Sequence, residues 1–386
     1  MANWRKVRLG EICRFKYGEM PKKNDLTPQG YPVYSGYRYV GFSPRYHYPE
    51  PEIIVVARGE GGTGDVKMTP PFCFLTNISI AILLETLEVF KPFLFYRLSA
   101  TTLWALRTGS AQAQITIEHL KDFEVEFPPL PVQRRIAGIL SAYDELMENS
   151  QRRIRILEAM ARALYREWFV HFRFPGHEKH PRVASPLGDI PQGWEVKPFT
   201  EIADVLSGGT PKTDVAEYWN GEIPFFTPRD APGCFYVQDT DKHVTEVGLS
   251  KCASELYPPD TVFITARGTV GKVALPSVPM AMNQSCYALR GKPGIPQRFL
   301  FLMTLQQVDY LKTNTGGATF DTIVVDTFRR MEIVKPDRSI VASFAKKTDA
   351  IFEQVNRLQR QIQNLRRTRD LLLPRLLSGQ VALITA

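Results

Sequence analysis

The 386-residue sequence predicts an α+β chain made of two similar globular domains, each followed by a long helix. Three observations predict it. A series of short motifs recurs in the same order, each copy ends in a segment with heptad spacing, and the sections before those segments read as short strands between turns. The length itself favours two or three domains over one.

The repeat comes first, because a missed repeat misplaces every later element. Trp4 to Ile12 returns as Trp194 to Ile202, and Ala57-Arg58-Gly59 as Ala266-Arg267-Gly268. Asn77-Ile-Ser79 returns as Asn283-Gln-Ser285, and Phe93-Leu-Phe95 as Phe299-Leu-Phe301. Thr108-Gly109 followed by Ala111 returns as Thr315-Gly316 followed by Ala318. The offsets are 190, 209, 206, 206 and 207. Chance matches would not keep one order and nearly one spacing.

The first helical segment is predicted over 132–172, opened by Pro131 and closed by Pro175-Gly176. Its apolar positions are Ile136, Leu140, Tyr143, Met147, Ile154, Leu157, Ala161, Leu164 and Trp168, with Ser150 as the polar intruder. Steps of four and three alternate, the spacing of a coiled-coil seam. The second is predicted over 339–379. Its seam is Val341, Phe344, Thr348, Ile351, Val355, Leu358, Ile362, Leu365, Arg369, Leu372 and Leu376. Pro374 is expected to end or kink it, and Gly379 stands where a C-cap belongs. Two seams of matching length favour pairing as an antiparallel coiled coil over each helix packing only on its own domain.

The remaining sections, 1–131 and 193–338, are rich in Pro, Gly, Tyr and Thr around short apolar runs such as Ile53 to Val56 and Thr261 to Ile264. They read as strands between turns, with some helix. Residues 173–192, with four prolines, read as a linker.

Composition narrows the function class. Apolar residues make up 44%, enough for ordinary cores, and the net charge of +8 suits a polyanionic partner. Five scattered cysteines without a CxxC pair argue against a disulfide framework or a thiolate zinc site. Met1 to Gly10 lacks the apolar core of a signal peptide, and no apolar run is long enough for a bilayer, so the default is a soluble cytoplasmic protein. Two similar readers on a rod of about 40 residues, roughly 60 Å long, would read two different short sequences somewhat under about two duplex turns apart. A symmetric homodimer would instead read a palindrome.

Several stretches resemble type I restriction–modification specificity subunits. Leu187-Gly-Asp-Ile-Pro-Gln-Gly-Trp194 is similar to the entry into that family's second target-recognition domain. Ser207-Gly-Gly-Thr-Pro211 and Tyr218-Trp-Asn-Gly-Glu-Ile-Pro224 look like its opening. Pro128-Pro-Leu-Pro-Val-Gln133 resembles the entry to the central helix and Trp168-Phe-Val-His-Phe172 its exit. Arg369 to Gly379 resembles the C-terminal signature. The first domain departs most, since Tyr17-Gly-Glu-Met-Pro21 only loosely matches Ser207 to Pro211. The resemblance implies two target-recognition domains related by a pseudo-two-fold and joined by an antiparallel pair of helices. It also implies double-stranded DNA, two modification subunits and motor-nuclease subunits as partners. S-adenosylmethionine, ATP and Mg would belong to that complex, with no cofactor held by this chain.

Candidate DNA contacts follow from residue chemistry. Thr227-Pro-Arg229-Asp230 offers side chains suited to base edges, because arginine forks onto guanine. Arg58, Arg267 and Lys272 flank glycine-rich turns, which are equally compatible with ordinary hairpins. Lys22, Lys23, Arg38, Arg45, Lys67 and Lys212 are candidate phosphate contacts. Tyr31, Tyr34, Tyr37, Tyr39, Tyr46 and Tyr48 crowd one stretch, as DNA contacts or as packing. The alternative function is a single-chain DNA-modifying or restriction enzyme. It would need an Asn/Asp-Pro-Pro-Tyr/Phe motif, and Thr69-Pro-Pro-Phe72 lacks the amide or carboxylate oxygen. Glu195-Val-Lys197 and Asp65-Val-Lys67 lack the upstream acid of a nuclease site, and Gly59 to Gly64 lacks the Lys-Ser/Thr of a phosphate-binding loop. His171, His177 and His180 read as solvated linker histidines rather than metal ligands. A protein-only coiled-coil scaffold, a third reading, has no use for matching Arg-Gly turns.

Overall fold

The computed structural model describes residues 4–22, 26–36, 38–59, 62–108, 114–314 and 322–381, without the side chains of 310–314. It divides into two compact units, residues 1–146 with 365–386, and residues 147–364.

The first repeat runs β1 (Arg5–Arg8), α1 (Leu9–Ile12), β2 (Cys13–Tyr17), β3 (Tyr31–Ser35), β4 (Arg38–Ser43) and β5 (Ile53–Val56). It continues through β6 (Val66–Met68), β7 (Phe74–Leu75), β8 (Ser79–Leu84), α2 (Lys91–Ser99), α3 (Ile117–Lys121) and β9 (Glu124–Phe127) into α4 (Leu130–Phe169). A short hairpin follows, β10 (Arg182–Val183) and β11 (Ile190–Pro191). The second repeat runs β12 (Glu195–Pro198), β13 (Ala203–Ser207), β14 (Trp219–Phe226), β15 (Tyr236–Val237), β16 (His243–Val244), α5 (Glu246–Ser250) and β17 (Val262–Thr265). It closes with β18 (Val273–Pro276), β19 (Ala281–Met282), β20 (Cys286–Gly291), α6 (Gln297–Asn314), α7 (Val325–Arg330), β21 (Glu332–Lys335) and α8 (Arg338–Leu377).

The repeats share their strand pairing. β2-β8-β5-β6 in one corresponds to β13-β20-β17-β18 in the other, where β15 adds a fifth strand. β4-β3-β7 corresponds to β16-β14-β19, each with one antiparallel and one parallel neighbour of the middle strand. The ribbons β1-β9 and β12-β21 match as well. Two glycines belong to this shared plan. A Cβ on Gly18 would sit 2.3 Å from the carbonyl oxygen of Thr76, and one on Gly208 2.1 Å from that of Asn283. The loosely matching first-domain motif therefore keeps the glycine that its fold requires.

Hydrogen bonds correct one sequence match. The Asn283 N–H donates to the Phe226 carbonyl and the Asn283 carbonyl accepts from Cys286; Thr76 makes the same pair with Tyr34 and Ser79. Thr76, not Asn77, therefore occupies the place of Asn283. The match of Thr108-Gly109 and Ala111 to Thr315-Gly316 and Ala318 falls largely outside the described residues.

α4 and α8 begin and end within three residues of the predicted segments. Within the first unit Ile136, Ala137 and Leu140 of α4 share a core with Leu376 and Leu377 of α8, Phe93 of α2 and Leu9. Within the second, Trp168 and Phe169 of α4 meet Phe344 of α8 at ring distances of 5.5 and 4.9 Å. In both units the early turns of one helix face the late turns of the other, so the pairing is antiparallel. Every seam position is buried or half-buried, including Tyr143, Leu157, Leu164, Ile351, Leu365, Arg369 and Leu372. The polar seam residue Thr348 satisfies its hydroxyl on the Phe344 carbonyl at 3.1 Å.

Two expectations are refined. Pro374, expected to end or kink α8, does not end it, and the helix continues to Leu377. The proline costs one bond of the ladder, its own missing N–H, and Gly379 beyond the helix takes the left-handed conformation at φ +71°. Residues 173–192 are more than a linker. Phe174 is buried and stacks on Trp194 at 5.3 Å, and Gly188 and Gly193 take positive φ in the turns around β11. Of the linker histidines, His180 lies against the Phe174 ring and His177 Nδ1 lies 2.9 Å from the Phe174 carbonyl. No group of three potential metal ligands occurs among the described residues.

Candidate nucleic-acid interface

The repeated Ala-Arg-Gly motif has a backbone explanation. Ala57 is buried; its N–H donates to the Ile78 carbonyl and its carbonyl accepts from Ile115, both at 2.8 Å. Ala266 is buried likewise, between the Ser285 carbonyl at 2.8 Å and the Ile323 N–H at 3.0 Å. A small residue held on both sides leaves the next side chain, Arg58 or Arg267, to leave the core for solvent, and both are exposed.

In the second repeat the turn after Arg267 is closed by buried Thr265. Its hydroxyl donates to the Thr269 carbonyl and accepts from the Lys272 N–H. Gly268 and Gly271 take φ of +81° and +74°, which glycine adopts without steric cost. The neighbouring turn, Thr227 to Asp230, is locked by one carboxylate. Asp230 Oδ2 accepts from the Thr227 N–H at 2.8 Å and its hydroxyl at 2.6 Å, while Oδ1 accepts from the Asp241 N–H at 3.0 Å. With the carboxylate consumed inside the protein, Arg229 is exposed and has no carboxylate partner among the described residues. Burial, and after it the Asp230 charge, push the nearby Cys286 up to about 12, so it stays a neutral thiol.

These two turns share one open cleft of about 530 Å³. It is lined by Thr227, Arg229, Asp230, Asp241, Lys242, Arg267, Thr269, Asn283 and Ser285, together with Pro228 and Gly268. Three predicted contacts, Thr227, Arg229 and Arg267, are therefore brought together. Thr227 is the least suited to reading bases, since its hydroxyl proton is committed to Asp230. Lys272 is exposed at the far end of the same turn but does not line the cleft. Lys212 is exposed elsewhere, its carbonyl accepting from Trp219 Nε1 at 3.1 Å. Sequence reasoning did not single out Asp241 or Lys242, and noted Asn283 and Ser285 only as repeat matches.

The first repeat has a different surface. Arg58 is exposed, whereas Lys67 is half-buried and paired with Asp65 at 3.7 Å, which weakens its claim as a phosphate contact. Lys22, Arg38 and Arg45 are exposed and already engaged within the chain. Lys23 and Tyr37 lie outside the described residues. Of the crowded tyrosines, Tyr34 and Tyr48 are core residues, and burial raises both phenols. Tyr31, Tyr39 and Tyr46 are exposed. Tyr31 and Tyr46 pack edge to face at 4.8 Å, and both meet the exposed ring of Phe72, whose φ is +51°. Such a conformation is uncommon for a bulky side chain.

The profile of the type I restriction modification DNA specificity domain matches residues 1–159 and 191–365. The chain is 32% identical over 156 residues to the type I restriction enzyme MjaIX specificity subunit of Methanocaldococcus jannaschii, covering 39% of this chain and 36% of that one. It is 25% identical over 372 residues to the type I restriction enzyme HindI specificity subunit of Haemophilus influenzae, covering 81% of this chain and 77% of that one. Its fold is similar to the crystal structure of the type I restriction-modification S subunit from M. genitalium, with a TM-score of 0.66 at 20% identity over 100% of this chain and 97% of that one.

Proposed function

The chain belongs to the family of type I restriction modification DNA specificity domains, and on that premise we propose that it is the sequence-reading subunit of such a complex. It selects a bipartite, asymmetric duplex site and leaves methyl transfer and cleavage to its partners. The observation that carries this reading is the cleft of the second repeat, where Arg229 and Arg267 stand exposed beside Asn283, with no carboxylate partner among the described residues. Cations held on rigid turns and left without an internal counter-charge suit phosphates and base edges.

The asymmetry of the site follows from the repeats. Their backbone plan is shared, but Asn283 stands where the first repeat has Thr76, and the first repeat presents exposed rings. Different side chains on one scaffold read different half-sites. Modification subunits would dock on apolar helix surface. Ile156 and Met160 of α4 are 54% and 52% exposed one turn apart, and Leu371 of α8 is 56% exposed. S-adenosylmethionine, ATP and Mg would enter with the partners. The free cysteines, three of them buried, fit work in the reducing cytoplasm.

The test is reconstitution with the cognate modification subunit followed by methylome sequencing. One bipartite motif with unequal halves is expected, together with no methyl transfer from labelled S-adenosylmethionine by the chain alone. Methylation by the isolated chain would overturn the reading.

A further inference from the structure

We propose that the second repeat reads a G·C base pair, with Arg229 and Asn283 donating to the guanine edge. This rests on the DNA-reading role argued above. It follows from counting which hydrogen-bonding groups of the cleft remain free once the protein's own bonds are made.

Asn283 would ordinarily be ambiguous, since its carboxamide both donates and accepts and so matches adenine in the familiar bidentate pairing. Here the balance is tilted toward donation, because one of the two acceptor sites of the oxygen is already used. Asn283 Oδ1 accepts from the Ser285 N–H at 3.0 Å. A backbone N–H can only donate, so this bond also fixes which end of the amide is oxygen. Nδ2 has no hydrogen-bond partner among the described residues, and Asn283 lines the cleft, so a donor is left over there.

Arg229 is donor-only by its chemistry, and the Asp230 carboxylate beside it is already engaged by three donors of Thr227 and Asp241. The turn thus holds the arginine while leaving its guanidinium for an external acceptor. Guanine presents two adjacent acceptors, O6 and N7, in the major groove; adenine replaces one of them with an amino group. The carboxylate of Asp241, which no protein donor holds among the described residues, also lines the cleft. It suits the exocyclic amino group of the paired cytosine. The first repeat has Thr76 at the corresponding position, its hydroxyl turned to Ser35 at 3.1 Å, so the donor set belongs to one half-site only.

The experiment uses the complex of the full chain with its modification subunit. Its motif is determined by methylome sequencing for the parent, Arg229→Gln and Asn283→Asp. The aspartate keeps the acceptor for the Ser285 N–H, so the turn is retained, and turns the donating end into a charged acceptor. Methylation of a duplex carrying 7-deazaguanine at the implicated position, which lacks N7, is measured alongside. The expected result is a G·C position in one half-site that relaxes in both variants, with the other half-site unchanged. Discrimination there should fall about 10- to 100-fold, and 7-deazaguanine should slow the parent but not Arg229→Gln. A parental half-site of A·T pairs only, or variants that methylate the parental motif with undiminished selectivity, would overturn the assignment while leaving the DNA-reading role standing. Uniform weakening on all sequences would mark both residues as phosphate contacts and overturn it equally. A parent complex with no sequence preference would sink the DNA-reading role itself.

Discussion

Arg369 of α8 and Asp144 of α4 meet at 2.6 Å, and the Tyr96 hydroxyl donates to the other oxygen of the same carboxylate at 2.7 Å. The heptad reading left Arg369 as an unexplained charge in an apolar seam; its partner lies one residue off the opposite seam. Both side chains are about two-thirds buried, so the pair lies between the weak surface case and the costly buried one. Asp144→Ala should destabilise the first unit by about 2 kcal/mol, with a coupling to Arg369→Ala of about 1 kcal/mol in a double-mutant cycle. Additive single effects in urea unfolding would show that the two residues do not cooperate.

Gln133 explains the Pro-rich entry to α4. It is fully buried; its Oε1 accepts from the Phe90 N–H at 2.8 Å, and its Nε2 donates to the Glu88 and Pro128 carbonyls at 2.9 and 2.8 Å. Gln133→Leu strands three backbone groups and should cost about 3 kcal/mol. Gln133→Glu, which turns the donating end into an acceptor facing two carbonyls, should cost more. Chemical denaturation of the full chain ranks the two.

Glu158 makes the second unit pH-sensitive. Burial raises its carboxyl to about 7, against the lowering effects of the Phe235 N–H and Arg162. The folded state holds the proton more tightly than the unfolded chain, so the stabilisation is full below about 4.5 and is lost as pH rises through about 7. The span is at most about 3 kcal/mol. Glu158→Gln keeps an acceptor for Phe235 and should flatten the dependence, melting higher than the parent at pH 8. Parallel melting curves for the two proteins from pH 5 to 8 would refute this.

Arg267 is expected to contact phosphate rather than a base edge. Arg267→Ala should weaken binding of the complex to all sequences alike and reduce the salt slope by about 1. A change of motif would instead make it a base reader.

Ile156→Glu and Met160→Glu alter exposed positions, so the isolated chain should keep its melting temperature. Co-purification with the modification subunit should fail if the apolar helix surface is its docking site. Undiminished assembly would place that site elsewhere.

Periodicity revealed the two helices and the repeat because burial on one face leaves a pattern in a linear chain. The seam from Ile136 to Trp168 is an example. Buried groups that serve the globular domains leave no such pattern. Tyr165, Phe169 and Phe352 are as buried as seam residues, and Gln359 donates to the Tyr236 carbonyl at 3.0 Å from off the seam. The cleft was half legible. Arg229 and Arg267 were visible as chemistry, but their convergence depends on β14 and β17 lying in separate sheets. Asn283 was invisible as a reader because its meaning depends on which of its atoms the backbone has already taken.

The alanine before Arg58 and Arg267 is held by main-chain bonds on both sides, bonds that are indifferent to the identity of the next residue. Whatever side chain succeeds it is presented at the same point without disturbing the core. A change of DNA affinity there requires neither a compensating mutation nor a loss of stability. The grip on the duplex can therefore be strengthened or loosened one residue at a time, in either repeat, with a folded intermediate at every step.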